Sequence, residues 1–368
     1  MAFLHFDNIG IAALACAVPE YTQRVNDDPH FANADYIRSF IRQIGIRQRQ
    51  ISLIEQTCTD LGYAAARHAL EYAGWDEQSL DVLIFLSQMP DFNPGTGNAF
   101  ILHKHLGLPT SAMAFDITLG CSSFPYGLSV CASLLQQKHI NRAIMISGDN
   151  VWPCVADRET LIAENAFIFG EGTTALLLEK KENSPLDISL FSNGKGYEYL
   201  FNPRAGSRNN WRSGRTITLS GGQTINPPPA RTGQYMDGPE ITVFSTSTVV
   251  DSINDFLASR GKLISDYDGL VLHQANRQIV RTIARRLGAS ESMVPISLDR
   301  YANTSGASVP LTITDAYGER EDGRLELLTC AYGIGLSWGI AGFGIEARAI
   351  RPIFRTDMRF DEGYITAN

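Results

Sequence analysis

The sequence predicts an α/β fold built from two related halves, residues 1–182 and 183–368. Short apolar runs typical of buried strands alternate with helix-like segments, which predicts β-α-β units and a mainly parallel sheet. Three sequence patterns of the first half recur in the same order in the second half. An ordered recurrence of this kind indicates an internal duplication, because chance would more readily produce one isolated match.

The first recurring pattern is a helix followed by a short polar loop and a buried strand. In the first half, a helix-like segment at 60–74 leads into an apolar strand at 82–88. In the second half, residues 249–261 lead in the same way into 269–274. Both strands end in a polar residue followed by glutamine, which strengthens the correspondence.

Two further patterns complete the correspondence between the halves. Residues 116–122 match 299–305 in pattern, and residues 170–179 resemble 337–346. Segment 193–238 is different, because it is rich in Gly, Asn, Arg and Pro and shows little periodicity. A stretch of this length inside a compact domain is usually functional or mobile, so we expect a long loop of one of these kinds just after the boundary between the halves.

The apolar run at 9–18 is expected to form the first strand. Residues 1–8 contain no Lys or Arg, and Pro19 and Glu20 follow the run at once, so it does not have the form of a secretory signal. No segment of the sequence approaches the length of a transmembrane span, and membrane insertion is therefore not expected.

The composition is that of an ordinary globular protein, with 44% hydrophobic and 19% charged residues among 368. The formal net charge of -8 argues against a general nucleic-acid binder and is typical of a cytoplasmic enzyme. The cysteines include no Cys-x-x-Cys pair and no His at zinc spacing, which predicts neither a metal site nor a disulfide framework. They are Cys16, Cys58, Cys121, Cys131, Cys154 and Cys330.

Cys121 is the candidate nucleophile. A strand-like apolar run ends at Gly120, and a helix-like run at 126–135 follows. A thiol between a strand and a helix lies near the helix N-terminus, where free backbone N–H groups and the helix dipole favour the reactive thiolate. We therefore expect Cys121 to be a reactive thiolate.

His273 and Asn303 are the other candidate catalytic residues. Each of the three taken alone is more often structural, because a buried Cys, a His after a strand and an Asn in a turn are all common. In a duplicated α/β fold, however, equivalent strand ends meet near the pseudo-twofold axis, which places Cys121 opposite the Asn303 turn with His273 nearby. Their joint occurrence predicts a site for thioester chemistry.

Six short motifs within residues 9–346 resemble those of one known family. They are Gly-Ile-Arg-Gln-Arg at 45–49, the nucleophile segment 116–128, Phe-Gly-Glu-Gly at 169–172, His-Gln-Ala-Asn at 273–276, the Asn segment 301–310 and the glycine-rich segment 333–339. The family is that of the β-ketoacyl-acyl-carrier-protein synthase III enzymes, within the thiolase superfamily. The resemblance covers nearly the full chain and is specific to the family, although not to one substrate.

The resemblance implies a duplicated, five-layer αβαβα thiolase fold and assembly as a homodimer. It implies an acyltransferase that moves an acyl group from a thioester onto Cys121 and condenses it with a malonyl-type thioester. This decarboxylative Claisen condensation yields a 3-oxoacyl product, in fatty-acid biosynthesis or in specialised lipid or polyketide-type biosynthesis. His273 and Asn303 donate hydrogen bonds to the malonyl thioester carbonyl, where decarboxylation creates an enolate. No bound cofactor is implied.

The resemblance also implies an oxyanion hole for the carbonyl of the acyl group on Cys121. The backbone N–H groups of Cys121 and Ile334 form it, and Gly333 and Gly335 let this glycine-rich turn approach the nucleophile closely.

The resemblance implies that the acyl donor is a thioester of either CoA or an acyl carrier protein. Family members that use a CoA primer hold it with a Trp and Arg residues. At the aligned positions, Gln43 and Gln278 stand where Arg is common, and residues 161–165 contain no counterpart to the Arg that stacks on adenine. This departure favours delivery of both acyl groups by an acyl carrier protein.

Four arginines form a candidate docking surface for the carrier protein. Arg277, Arg281 and Arg285 are spaced four apart on one face of a predicted helix, and Arg286 adjoins them. No Glu or Asp lies between Arg277 and Arg286, so the stripe is suited to an acidic partner. The alternative is a solvated helix face with no binding role.

Three other functions remain open from the residues. A hydrolase with the Cys-His-Asn order of papain-like proteases is one, although a Ser and not a Trp follows Cys121. A related acyltransferase that forms an ester or amide without decarboxylation is another, and carbon dioxide release from a malonyl donor separates it. A non-catalytic partner subunit is the third, but such subunits commonly lack the nucleophile that this chain retains.

Overall fold

A computed structural model describes residues 2–27, 33–52, 55–92, 95–150, 167–202, 216–225 and 235–362. The strands within these ranges are β1 (Ala2–Phe6), β2 (Ile9–Pro19), β3 (Thr22–Arg24), β4 (Gln48–Gln50), β5 (Val82–Leu86), β6 (Met113–Ile117), β7 (Arg142–Gly148), β8 (Thr173–Lys180), β9 (Leu186–Ser192), β10 (Leu200–Phe201), β11 (Ile217–Thr218), β12 (Thr224–Ile225), β13 (Tyr235–Met236), β14 (Gly269–Leu272), β15 (Arg324–Gly333), β16 (Ser337–Glu346) and β17 (Phe354–Thr356).

The same ranges contain nine α-helices, and the helical segments that the sequence predicts at 60–74, 126–135 and 249–261 are among them. The nine helices are α1 (Ala34–Gln43), α2 (Cys58–Ala73), α3 (Asn98–His105), α4 (Ser123–Leu135), α5 (Gly238–Val243), α6 (Val249–Ser259), α7 (Arg277–Arg286), α8 (Leu298–Tyr301) and α9 (Ser308–Tyr317). Thr57 and Asp60 form a capping box at the start of α2, and Gly74, with a φ of 64°, ends it in the left-handed conformation. None of these helices is long and apolar enough to cross a membrane.

The internal duplication is visible in the strand order of two large sheets. The first has the strand order β17-β2-β8-β7-β5-β6, and the second has the order β1-β9-β16-β15-β14. Strands β2, β8, β7 and β5 of the first sheet correspond in order to β9, β16, β15 and β14 of the second, and adjacent pairs run in the same relative directions. This shared topology confirms the internal duplication.

The terminal strands are exchanged between the two sheets. β1 pairs with β9 at the edge of the second sheet, and β17 pairs with β2 at the edge of the first. The connection between β8 and β9 contains the boundary between 182 and 183, which we keep as the proposed division between the halves.

The prediction of a mainly parallel sheet holds for the first sheet, in which three of the five strand pairs are parallel, but is wrong for the second sheet, in which one of the four pairs is parallel. Among the strands of the described residues, parallel pairing joins β5 with β6 and β7, β14 with β15, and β17 with β2, whereas β8 and β16 are antiparallel to both of their neighbours. The reason is visible between β15 and β16, which are joined by a three-residue turn. A turn this short can join only antiparallel neighbours, since a parallel pair needs a long crossover.

The helices form three layers around the two sheets. Phe124 and Leu128 of α4 and Val309 and Ile313 of α9 lie between the sheets, in one apolar core with side chains of both. Side chains of α2 and α3 pack on the outer face of the first sheet, and side chains of α6 and α7 pack on the outer face of the second. The layer order αβαβα confirms the five-layer fold.

Segment 193–238 contains more regular structure than its composition predicts. Within its described residues, β10 pairs with β13 and β11 pairs with β12, both antiparallel. Each of these strands has only two residues, which is too short for an alternating pattern to appear in the sequence.

Candidate active site

Cys121 lies where the sequence predicts it, between β6 and α4. The chain turns directly before the helix, and the Ser123 N–H donates to the Gly120 carbonyl at 2.8 Å. Among the five cysteines within the described residues, Cys121 alone is partly exposed, whereas Cys16, Cys58, Cys131 and Cys330 are buried. Access from solvent therefore distinguishes Cys121 from these four thiols.

The protonation state of Cys121 differs from the expected thiolate. Burial raises the pKa of the thiol to about 12, a hydrogen bond with the Ser305 hydroxyl opposes this increase, and the charge of Asp149 adds to it. The distance from Cys121 Sγ to Ser305 Oγ is 3.9 Å. The group is therefore a thiol near neutral pH, because its enclosure disfavours the charged form more than the helix N-terminus favours it.

The glycine-rich turn packs directly against Cys121. A Cβ atom placed on Gly333 would lie 2.7 Å from the Cys121 Cβ, so only glycine is accommodated there. Two hydrogen bonds fix the turn: Ser337 Oγ donates to the Ile334 carbonyl at 2.6 Å, and Ser122 Oγ lies 2.6 Å from Ser337 Oγ. The turn and the nucleophile thus form one rigid unit.

His273 directly follows β14, and its N–H donates to the Cys330 carbonyl of β15 at 2.8 Å. The residue is 2% exposed, and its ring contacts Tyr332 edge-on at a centroid distance of 5.3 Å. His273 Nδ1 lies 2.5 Å from the Ser308 Oγ at the start of α9. Burial lowers the pKa of His273 to about 3, so the ring is neutral near neutral pH.

The remaining residues of the His-Gln-Ala-Asn motif hold this segment in place. Gln274 Nε2 donates to the Leu272 carbonyl at 2.8 Å, and Gln274 Oε1 accepts from the Ser297 N–H at 3.2 Å. The Asn276 side chain caps α7 by accepting from the Ile279 N–H at 2.8 Å. The motif therefore connects the histidine to both the sheet and the next helix.

Asn303 lies in a turn whose backbone is unusual. The flanking residues Ala302 and Ser305 have φ angles of 56° and 51°, a region that non-glycine residues rarely adopt. Asn303 Oδ1 accepts from the Ser305 N–H at 2.9 Å, so this oxygen is occupied within the turn. The Asn303 carbonyl accepts from the Gly170 N–H at 3.1 Å, and a side chain on Gly170 would clash with the Tyr301 carbonyl.

The motifs at 45–49 and 169–172 pack against the Asn303 turn and hold its backbone in place. Arg49 is 1% exposed, and its guanidinium donates to the Phe169 carbonyl at 2.9 Å and lies over the Phe167 ring. Buried Glu171 accepts from the Ser52 N–H. These two motifs thus have a structural explanation, since they position the backbone that holds Asn303.

These contacts bring the three candidate residues to one place. Gly333 packs on Cys121, and the adjacent Tyr332 contacts the His273 ring. From the other side, Ser305 of the Asn303 turn reaches the Cys121 sulfur. The backbone segments that hold Cys121, His273 and Asn303 therefore lie close together near the ends of β6 and β14, and their action as one catalytic set stays a prediction.

Comparison with known proteins identifies the family. The model of the 3-oxoacyl-[acyl-carrier-protein] synthase III family matches residues 115–194, and the model of its C-terminal part matches residues 257–345. The β-ketoacyl-[acyl-carrier-protein] synthase III of Prochlorococcus marinus (strain MIT 9313) is 30% identical over 342 residues, which cover 90% of this chain and 95% of that protein. The chain belongs to the β-ketoacyl-acyl-carrier-protein synthase III family.

Other synthase III proteins agree with this assignment. The protein of the same name from Thermosynechococcus vestitus is 32% identical over 304 residues, which cover 81% of this chain and 87% of that protein. The crystal structure of a 3-oxoacyl-(acyl-carrier protein) synthase from Burkholderia xenovorans LB400 superposes with a TM-score of 0.85 at 27% identity and covers 96% of this chain and 99% of that one. The chain is accordingly a thiolase-like condensing enzyme of the acyltransferase type, and the papain-like alternative is wrong.

The arginine stripe of this synthase III member lies on α7, but its residues differ in availability. Arg277 is half-buried, and its guanidinium donates to the Gly45 carbonyl at 3.1 Å. Arg286 is exposed but donates to the Thr246 carbonyl. Arg281 and Arg285 are exposed, and neither forms an ion pair with any described residue. The candidate docking surface therefore centres on Arg281 and Arg285.

The positions used to judge CoA binding are only partly described. Gln43 donates to Ser39 Oγ at 3.2 Å within α1, and Gln278 is exposed on α7. Residues 161–165 lie outside the described ranges.

Three polar residues near the catalytic set are not predicted from the sequence. Ser305 contacts the nucleophile, Ser308 contacts His273, and Asp149 affects the thiol pKa. Ser305 and Ser308 stand inside the Asn segment of the synthase III motif, so the motif offered a signal for them. Asp149 follows β7 and carried no such signal.

Proposed function

We propose that this chain loads an acyl group from a thioester onto Cys121 and condenses it with a malonyl-type thioester to form a 3-oxoacyl product. The observation that supports it is the meeting of three elements at one thiol: the turn of Gly333, the Asn303 turn and the strand end that holds His273. The similar proteins are named β-ketoacyl-[acyl-carrier-protein] synthase III, which supports this reaction and favours fatty-acid biosynthesis as its setting.

The loading step uses Cys121 and the glycine-rich turn. The thiol sulfur attacks the acyl carbonyl, and negative charge develops on the carbonyl oxygen. The backbone N–H groups of Cys121 and Ile334 donate no backbone hydrogen bond to another described residue, so both are available for this oxygen. Gly333 packs directly on Cys121, which brings the glycine-rich turn beside the nucleophile so that the two amides can act together.

The condensation step uses His273 and Asn303 as hydrogen-bond donors. The Ser308 Oγ accepts from the Gln274 N–H at 3.4 Å, and its own hydrogen can donate to His273 Nδ1. This arrangement leaves the proton of the neutral ring on Nε2. The Asn303 Oδ1 is occupied by the Ser305 N–H, so the side-chain NH₂ is the free group. Two fixed donors therefore stabilise the malonyl thioester carbonyl as decarboxylation makes it an enolate.

A panel of acyl donors tests the proposed function. We expect the intact mass of the protein to increase by one acyl group with a cognate acyl thioester, and loaded protein to release carbon dioxide from malonyl carrier protein. The added mass identifies the primer. Loading without carbon dioxide release would support the alternative acyltransferase, which transfers the acyl group to a hydroxyl or an amine.

We further propose that acyl carrier protein delivers the acyl groups and docks on the exposed arginines of α7. The double substitution Arg281→Glu and Arg285→Glu is expected to raise KM for a carrier-bound substrate, because like charges then face the acidic carrier. The reaction with a short pantetheine thioester should be nearly unchanged, and the parent's KM for the carrier should rise with salt. A matched control reverses two exposed cations on other elements, Lys138→Glu and Arg348→Glu. Equal KM values for parent and the Arg281 and Arg285 variant would leave α7 a solvated face.

The setting of the enzyme is proposed on less specific grounds. The net charge of -8 suits a cytoplasmic protein, and no bound cofactor takes part in the steps above. Edge strand β6 exposes Met113, which suits pairing with a second copy in a homodimer. Sedimentation analysis of the purified protein would decide the assembly.

A further inference from the structure

Asp149 is a buried carboxylate at the active site that the steps above do not use. It follows β7 and is 2% exposed. Ser87 Oγ and the Gln88 N–H, at the end of β5, both donate to Asp149 Oδ1 at 2.7 Å, and the Met89 N–H donates to the same oxygen at 3.2 Å. Because β5, β6 and β7 are parallel, their carboxyl ends share one edge of the sheet, and β6 leads from this edge to Cys121.

Ser305 lies between Asp149 and the nucleophile. Its Oγ is 3.9 Å from Cys121 Sγ. The Ser305 hydroxyl also stabilises the charged form of Asp149 and so opposes the increase that burial causes in the pKa of this carboxyl. The Ser305 backbone has a φ of 51°, a conformation that costs free energy for a residue with a side chain. Such strained residues are concentrated at functional sites. Here the conformation holds a hydroxyl against the thiol.

The loading step needs an acceptor for the proton of the Cys121 thiol. The thiol is protonated in the free protein because burial raises its pKa to about 12. His273 does not fill this role in the proposed mechanism, since Nδ1 is paired with Ser308 and Nε2 serves as a donor to the enolate. Burial also raises the pKa of Asp149, which makes its carboxylate a stronger base than an exposed one.

We propose that Asp149 receives the Cys121 proton through the Ser305 hydroxyl during acyl loading. This inference rests on the proposed loading of Cys121. As the sulfur–acyl bond forms, the thiol proton passes to Ser305 Oγ, and the Ser305 hydroxyl proton passes to the Asp149 carboxylate. When the donor thioester bond breaks, the departing thiolate takes a proton back by the same route, and Asp149 returns to its carboxylate form.

Alkylation of Cys121 by iodoacetamide tests the relay without any acyl donor. The variant Asp149→Asn keeps an oxygen for Ser87 and Gln88 but cannot take up a proton. Burial is the main cause of the raised thiol pKa, and the charge of Asp149 raises it further. If that charge were the whole influence of Asp149, its removal would lower the pKa and speed alkylation. The relay predicts the opposite, a slower reaction of Cys121.

Acyl loading provides the second readout. General-base assistance is typically worth about 100- to 10,000-fold, so Asp149→Asn and Ser305→Ala should each slow loading by about 100-fold or more. Carbon dioxide release by protein that has been fully loaded beforehand should be unchanged in both. The matched control is Ser123→Ala, because the Ser123 hydroxyl is buried beside the same site and has no hydrogen-bond partner among the described residues. It should load as the parent does.

Two results would overturn the relay: alkylation of Asp149→Asn at or above the rate of the parent, or loading of Ser305→Ala at the rate of the parent. Unchanged carbon dioxide release by preloaded protein shows that the substitutions leave the rest of the site intact. Thermal unfolding establishes whether each variant is folded. If Asp149→Asn does not fold, Ser305→Ala still tests the relay. Failure of the parent itself to load would instead contradict the proposed function.

Discussion

We expect Cys121→Ala to abolish acyl loading while the protein remains folded. The substitution removes the sulfur that forms the acyl bond, and Cys121 is the partly exposed thiol at the meeting point of the catalytic turns. We expect no added mass with any donor that loads the parent. The substitution removes one sulfur atom from a partly exposed position, so the melting temperature should change little. Loading that persists in Cys121→Ala would place the nucleophile elsewhere.

Selective alkylation of the parent gives an independent result. Iodoacetamide should label Cys121 faster than four other cysteines, because access to solvent differs among thiols whose pKa values are all raised by burial: Cys16, Cys58, Cys131 and Cys330. The rate is read by peptide mass spectrometry. Equal labelling of these cysteines would count against Cys121 as the nucleophile. Cys154 lies outside the described residues.

His273→Ala and Asn303→Ala should separate the two half-reactions. Both variants are expected to form acyl-Cys121, because neither side chain takes part in the proposed loading step. Each should release carbon dioxide from a malonyl thioester about 100- to 1,000-fold more slowly, which is the usual cost of losing one fixed donor to a developing oxyanion. Stopped-flow measurement on preloaded protein isolates this step.

The pH dependence of carbon dioxide release follows from the state of His273. A lowered pKa means that the ring is neutral at every pH above its pKa of about 3. Protonation of His273 should therefore produce no loss of rate as the pH falls from neutral to mildly acidic values. An acid limb that disappears in His273→Ala would show that the charged ring matters. Loss of acyl loading with retained decarboxylation in both His273→Ala and Asn303→Ala would reverse the roles assigned to the two half-reactions.

The sequence predicted the fold where pattern and burial coincide. The apolar run at 9–18 became β2, and the helix-like run at 126–135 became α4, which begins three residues earlier because Pro125 is compatible with a first helical turn. Strand direction was not predictable, because an apolar run reads the same whichever way it is paired. The sharp turn between β15 and β16 decides their direction, and its length depends on where the two strands end.

The candidate site was predicted by residue type but not by its electrostatics. Cys121, His273 and Asn303 were found from motifs that each carry a chemical signature. The protonated state of Cys121 was not, because it depends on how completely distant segments enclose the sulfur. The Ser308 contact with His273 joins residues 35 positions apart, and no local pattern shows that the start of α9 lies beside the end of β14.

The crossed positions of β1 and β17 have a consequence for how the polypeptide acquires its structure during synthesis. β2 is made early, but its edge partner β17 leaves the ribosome only after both halves have been translated. The first sheet therefore cannot be completed as an independent nascent unit, and its final pairing spans almost the whole chain. Because contacts between distant residues form slowly, closure of that edge belongs to the late, post-translational stage of folding. Each of these two strands also links the halves, because β1 pairs with the second sheet and β17 pairs with the first. Loss of either strand would therefore expose an edge of the sheet with which it pairs.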